Sequence, residues 1–100
     1  MFAALCRFDL RIPGVTSLKE KRHVVKSLTA SLRSRFNVSV AEVDHHDLWQ
    51  RTAIAVTSVS GQGYHLKRVV HEVERHVDGF PSVEVIDRVV RYVGEEDLEP

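Results

Sequence analysis

Along the first twelve residues, apolar and polar positions alternate. Phe2, Ala4, Cys6, Phe8, Leu10 and Ile12 take the even places, while the odd places change from Ala3 and Leu5 to Arg7, Asp9 and Arg11. Period-two alternation of this kind predicts a strand with one buried face. Pro13-Gly14 stops it, and Ser17-Leu18-Lys19-Glu20 has the form of a capping box, in which the serine and glutamate side chains satisfy backbone donors at a helix start. The helix predicted over 17–35 carries Leu18, Val25, Leu28, Leu32 and Phe36 within an arc of about 80° at 100° per residue.

Asn37 breaks that pattern. Two strand-like stretches, 38–43 and 48–59, flank Asp44-His45-His46-Asp47 and are expected to pair as a hairpin. The apolar residues change parity between Val40 and Ala41, which calls for a bulge or for a strand with two partly buried faces. After the loop at 60–63, a second helix carries Leu66, Val69, Val70, Val73 and Val77 at helical spacing, and Gly79 and Pro81 supply its stop. A last strand over 82–93 is rich in Val and Ile, and the acidic residues 94–100 read as a frayed tail. The order is β-α-β-β-α-β. Right-handed crossovers then give an α+β ferredoxin-like plait, a four-stranded antiparallel sheet with both helices on one face. Its other face must be polar or covered.

Composition bounds this picture without changing it. The 100 residues, 43% apolar and 28% charged, make one domain over 1–93 followed by the acidic tail 94–100. Only Cys6 is present, so neither an internal disulfide nor a multi-cysteine metal site can form, and an inert thiol on the buried parity is expected. Arg7 and Asp9 interrupt the N-terminal apolar run too early for a secretory or membrane-spanning segment, so a cytoplasmic protein without membrane contact is expected. Charge does change the picture. Fourteen Lys+Arg balance fourteen Asp+Glu, yet residues 1–36 hold eight cations against two anions and residues 81–100 hold two against six. Neutrality conceals a dipolar protein, and the basic part is the first helix.

There Lys19, Arg22, Lys26 and Arg33 fall within about 60° of one another, and Lys21 stands beside them near the helix start. Cations in a first turn oppose the helix macrodipole, so Lys19, Lys21, Arg22, Lys26 and Arg33 are candidate contacts for an anion, phosphate above all. The richest stretch chemically is the hairpin. Asp44, His45, Trp49, Gln50 and Arg51 form a candidate polar and stacking surface, for which a plain polar turn is the simpler reading. A metal site at Asp44, His45, His46 and Asp47 is disfavoured, because adjacent histidines on a strand point to opposite faces. The histidines of the second helix, His65, His71 and His76, read as a solvated polar face. No nucleophilic triad, Walker loop or dinucleotide fingerprint can be assembled, so no catalytic residue, metal or cofactor is expected.

Several of these stretches carry a resemblance. Arg11-Ile12-Pro13-Gly14, Ser17-Leu18-Lys19-Glu20-Lys21-Arg22, the run from Arg35 through Ala41-Glu42-Val43-Asp44-His45, and Trp49-Gln50-Arg51 resemble the YlxP-like family of small bacterial proteins of unknown function, over about 2–90. The resemblance implies a ferredoxin-like fold and no established reaction. Genes of that family commonly neighbour those for a transcription elongation and termination factor, a translation initiation factor and a ribosome-binding factor, which implies a role around RNA or the ribosome. The expected function is therefore a non-catalytic binding protein that meets RNA or a ribonucleoprotein through the basic surface of the first helix. A homo-oligomer paired through the open sheet face is the alternative. A small acyl-phosphate hydrolase using the loop from Arg11 to Thr16 ranks below both, since that loop lacks an array of glycine amides and a water-orienting partner.

Overall fold

The computed structural model describes residues 1–98. Its elements are β1 (Phe2–Arg11), α1 (Leu18–Arg35), β2 (Ser39–Asp44), β3 (Arg51–Ser60), α2 (Gly63–Asp78), β4 (Glu84–Gly94) and a closing 3-10 turn, Glu95–Leu98. The strands form one antiparallel sheet in the order β2-β3-β1-β4. This is the ferredoxin-like plait. Among the described residues, no helix is long and apolar enough to cross a membrane.

Alternation in β1 does what the pattern requires. Ala4, Cys6, Phe8 and Leu10 turn to the helices and join Leu28 and Leu32 of α1, Val40 of β2, Ile54 and Val56 of β3, and Leu66, Val70, Val73 and Val77 of α2 in one core. Cys6 lies 2% exposed in it. Burial, with Glu74 nearby, pushes its thiol up to about 11, so little thiolate exists at neutral pH. Native protein is accordingly expected to resist alkylation by iodoacetamide and to react fully only in denaturant. Rapid labelling of the native state would show that this part of the sheet opens.

The second helix and the antiparallel hairpin form as the sequence predicts, and the boundaries differ for local reasons. β3 starts at Arg51 because Gln50 is engaged elsewhere: its carbonyl accepts the Ile12 N–H at 2.9 Å, and its side-chain amide donates to the Val15 carbonyl at 3.0 Å. Leu48, Trp49 and Gln50 are therefore loop. Of the two expected explanations for the parity change in β2, the bulge is the one present, since Ala41 and Val43 are exposed and the strand's second face is not buried. Val40 faces the helices and Ala41 the open face, and the pairing with β3 then slips between Glu42 and Asp44, leaving Val43 outside the register. Residues 95–98 are not a frayed tail. The Glu95 carboxylate takes the N-terminal ammonium, and the chain closes in the 3-10 turn; residues 99–100 of the expected tail lie outside the described residues.

A cationic helix layer and a loop anchored by a buried lysine

α1 begins where the capping box places it. Ser17 Oγ accepts the Glu20 N–H at 3.1 Å. The glutamate reaches one residue further back than the box requires, however, accepting the Thr16 N–H at 2.9 Å and its hydroxyl at 3.2 Å. The anion expected at this helix start is thus supplied by the chain itself. The same contact takes up the Thr16 amide of the loop after β1.

Lys21 is a second correction. Its side chain is 1% exposed and points inward, not along the basic ridge. The ammonium donates to the His45 carbonyl, to the His46 carbonyl at 3.1 Å, and stands 3.2 Å from Glu42 Oε2. Three donors meet three acceptors, so the buried charge is satisfied. Glu42 is held in turn by the Thr52 hydroxyl at 2.5 Å. The lysine therefore fixes the β2–β3 loop to α1, with His45 in the left-handed region at φ 61° and Asp44 accepting the His45 N–H at 2.8 Å.

The candidate stacking surface separates into three parts. Trp49 stands 51% exposed beside Leu48 at 49%. Gln50 is an anchor to the β1–α1 loop, as described above. Asp44, His45 and Arg51 belong to a charged corner of the open sheet face, where the Arg7 guanidinium reaches Asp9 at 3.1 Å and Asp44 at 3.2 Å. Hydrogen bonding to Arg7 holds Asp9 below the ordinary carboxylate range; the His45 N–H, then Arg7, does the same for Asp44. His45 Nε2 lies 3.7 Å from Asp9, and Arg51 keeps its Nε buried without a hydrogen-bond partner. Ala53, which the register places between Asp9 and Asp44, is fully covered by this corner. Among the described residues, no three His, Cys, Asp or Glu side chains are grouped to hold a metal ion.

The remaining ridge residues, Lys19, Arg22, Lys26 and Arg33, are exposed. Arg33 donates to the Val40 carbonyl at 2.7 Å, capping an outward acceptor of the edge strand β2. The structure extends this surface beyond α1. Arg35 on α1 and Lys67, Arg68 and Arg75 on α2 are also exposed, and among the described residues none of these eight cations takes part in an ion pair. The helices' carboxylates are occupied elsewhere. Glu20 caps Thr16, while Glu74 at 3.0 Å and Asp78 both hold Arg88 from β4, leaving only Glu72 without a partner among the described residues. Sequence reasoning missed the α2 contribution, because the pairing of Glu74 and Asp78 with a strand residue carries no local signal.

The fold is thus an α+β ferredoxin-like plait whose two helices carry a layer of exposed cations. The chain belongs to the family described as Protein of unknown function (DUF503), whose model matches residues 3–90. It is 37% identical over 68 residues to the uncharacterized protein YlxP of Bacillus subtilis strain 168, an alignment covering 68% of this chain and 74% of that protein.

Proposed function

We propose that the protein is a non-catalytic module that docks on structured RNA, alone or within a ribonucleoprotein, through the outer surface of its two helices. One observation carries this reading: among the described residues, eight exposed Lys and Arg side chains lie on one layer without ion-pair partners, while three of the four carboxylates of those helices are engaged within the fold. Unpaired cations on one surface repel each other, and a phosphate backbone relieves that repulsion while releasing its own counterions. The sheet face lacks the stacking aromatics by which a four-stranded platform reads bases, so the helices are the better surface. Trp49 offers one stacking ring at the edge of the molecule.

Titrating labelled hairpin RNA at several salt concentrations tests this. Contact with about five phosphates is expected to give a log-log salt slope of about −4, and Lys19→Glu with Arg22→Glu to reduce its magnitude by about 2 and to weaken binding at least tenfold. No binding at low salt, or a slope near zero, would overturn the reading.

A second reading is favoured by the open sheet face, where Leu5 is 54%, Val59 67% and Val89 38% exposed. The charged corner beside this apolar centre carries both signs, so two copies packed face to face could satisfy one another. A dimer mass at micromolar concentration that reverts to monomer in Leu5→Glu supports it, and a monomer mass for the unaltered chain ends it.

A further inference from the structure

His76 was expected on a solvated helix face, and the structure puts it between the helices. Its Nε2 lies 2.7 Å from Ser31 Oγ of α1, with the Phe36 ring edge-on at 5.9 Å and the Phe80 ring tilted at 5.9 Å. Arg35 of α1 and Arg75 of α2 border the same groove, and among the described residues neither has an ion-pair partner. The groove has two hollows. One, of about 390 Å³, is walled by Phe36 and also by Glu72, whose carboxylate disfavours an anion. The other, of about 440 Å³, is walled by Ser31, Phe80 and Pro81 and has no carboxylate in its lining. Its volume is that of a small-ligand site.

Both arginines lie in the last turns of their helices, where the C-terminal carbonyls favour cations. That accounts for one cation on each helix. It does not account for two unpaired guanidiniums bordering one hollow with a flat apolar wall, an arrangement whose repulsion is relieved by an anion between them.

We propose that this second hollow receives one unpaired nucleotide of a structured RNA, its phosphate between Arg35 and Arg75 and its base against the wall of Phe80 and Pro81. The inference rests on the helix-layer reading and adds where that layer distinguishes bulged from paired RNA. The Ser31 hydroxyl donates to the Leu28 carbonyl at 2.9 Å, so His76 Nε2 donates to Ser31 Oγ and the ring's Nδ1 is the acceptor offered to the base edge. Burial, then Arg35, holds His76 below its ordinary value, so at neutral pH the ring is uncharged and can accept as well as donate. The neighbouring cations of both helices continue along the strand on either side of the extruded nucleotide.

The test compares a labelled RNA duplex with the same duplex carrying a single-nucleotide bulge, both titrated with the full chain and followed by fluorescence anisotropy. The bulged RNA is expected to bind about tenfold tighter, the low end for stacking one base. Arg35→Gln with Arg75→Gln, both exposed and outside the core, is expected to bring that ratio to one. Lys26→Gln with Lys67→Gln, which removes the same charge elsewhere on the layer, weakens both RNAs and preserves the ratio. Equal binding of the two RNAs by the unaltered protein, or a ratio that the arginine pair leaves unmoved, overturns this inference while the helix-layer reading stands. Absence of binding to either RNA overturns both.

Discussion

Replacing Lys21 with methionine is expected to lower the unfolding free energy by about 3 kcal/mol, although the new side chain is apolar and of similar length. The ammonium is buried, and its three acceptors are the Glu42 carboxylate and the carbonyls of His45 and His46. Methionine leaves all three without their donor. Glu42 retains the Thr52 hydroxyl and partial solvent access, which sets the cost at the low end of the range for a broken buried pair. Lys19→Met, on the exposed ridge, is expected to change stability by no more than about 0.5 kcal/mol. Urea unfolding followed by circular dichroism gives the global cost, and the fluorescence of Trp49, the only tryptophan, reports the loop separately. If Lys21→Met proved as mild as Lys19→Met, the lysine would not be the anchor of the β2–β3 loop. Glu42→Gln added to Lys21→Met is expected to recover part of the loss, because the orphaned carboxylate is then neutral.

Phe8→Ala is expected to cost about 3–5 kcal/mol, the range for truncating a fully buried aromatic. Phe8 is 0% exposed on the central strand β1, between Ile54 on β3 and Arg88 on β4 in register. The Arg88 guanidinium lies 5.8 Å from the ring centre while Glu74 and Asp78 hold it from α2, so the ring supports an ion-pair group as well as the core. In a domain with a total stability of about 5–15 kcal/mol, such a loss threatens folding itself. Thermal unfolding is expected to show the midpoint falling by at least about 12 °C, and Phe8→Leu, which keeps most of the volume, to recover more than half of that fall. A loss below about 1 kcal/mol for Phe8→Ala would mean that the sheet and helices close over the gap.

Lys21 also shows how much of the site was legible. At 100° per residue it falls midway between Leu28 and Leu32, about 20° from each, so its burial was readable from periodicity had the stripe been traced through a charged residue. Its partners were not. Nothing local to Glu42, His45 or His46 says that a lysine more than twenty residues earlier takes their oxygens. The helix-one ridge was legible because one helix turn sets its spacing, and the Ser17 cap because its hydrogen bond spans three residues. Glu20 was read as closing the box on Ser17 and instead takes Thr16, a difference of one amide that decides whether the helix start is free for an outside anion.

The order of elements, the buried faces of β1, α1 and α2 and the plait were all readable from the chain, since periodicity and turn residues act over a few positions and a right-handed crossover leaves few arrangements. So was the segregation of charge along it. Only the tertiary structure decided which of those charges reach solvent. Arg88 of β4 holds both Glu74 and Asp78 of α2, Lys21 turns inward to a loop, and Arg35 and Arg75 come to border one groove with His76 between them. The physical reason is range: backbone preference and hydrophobic periodicity are set by near neighbours, whereas an ion pair or a groove is set by whichever distant segment the fold brings within a few ångströms.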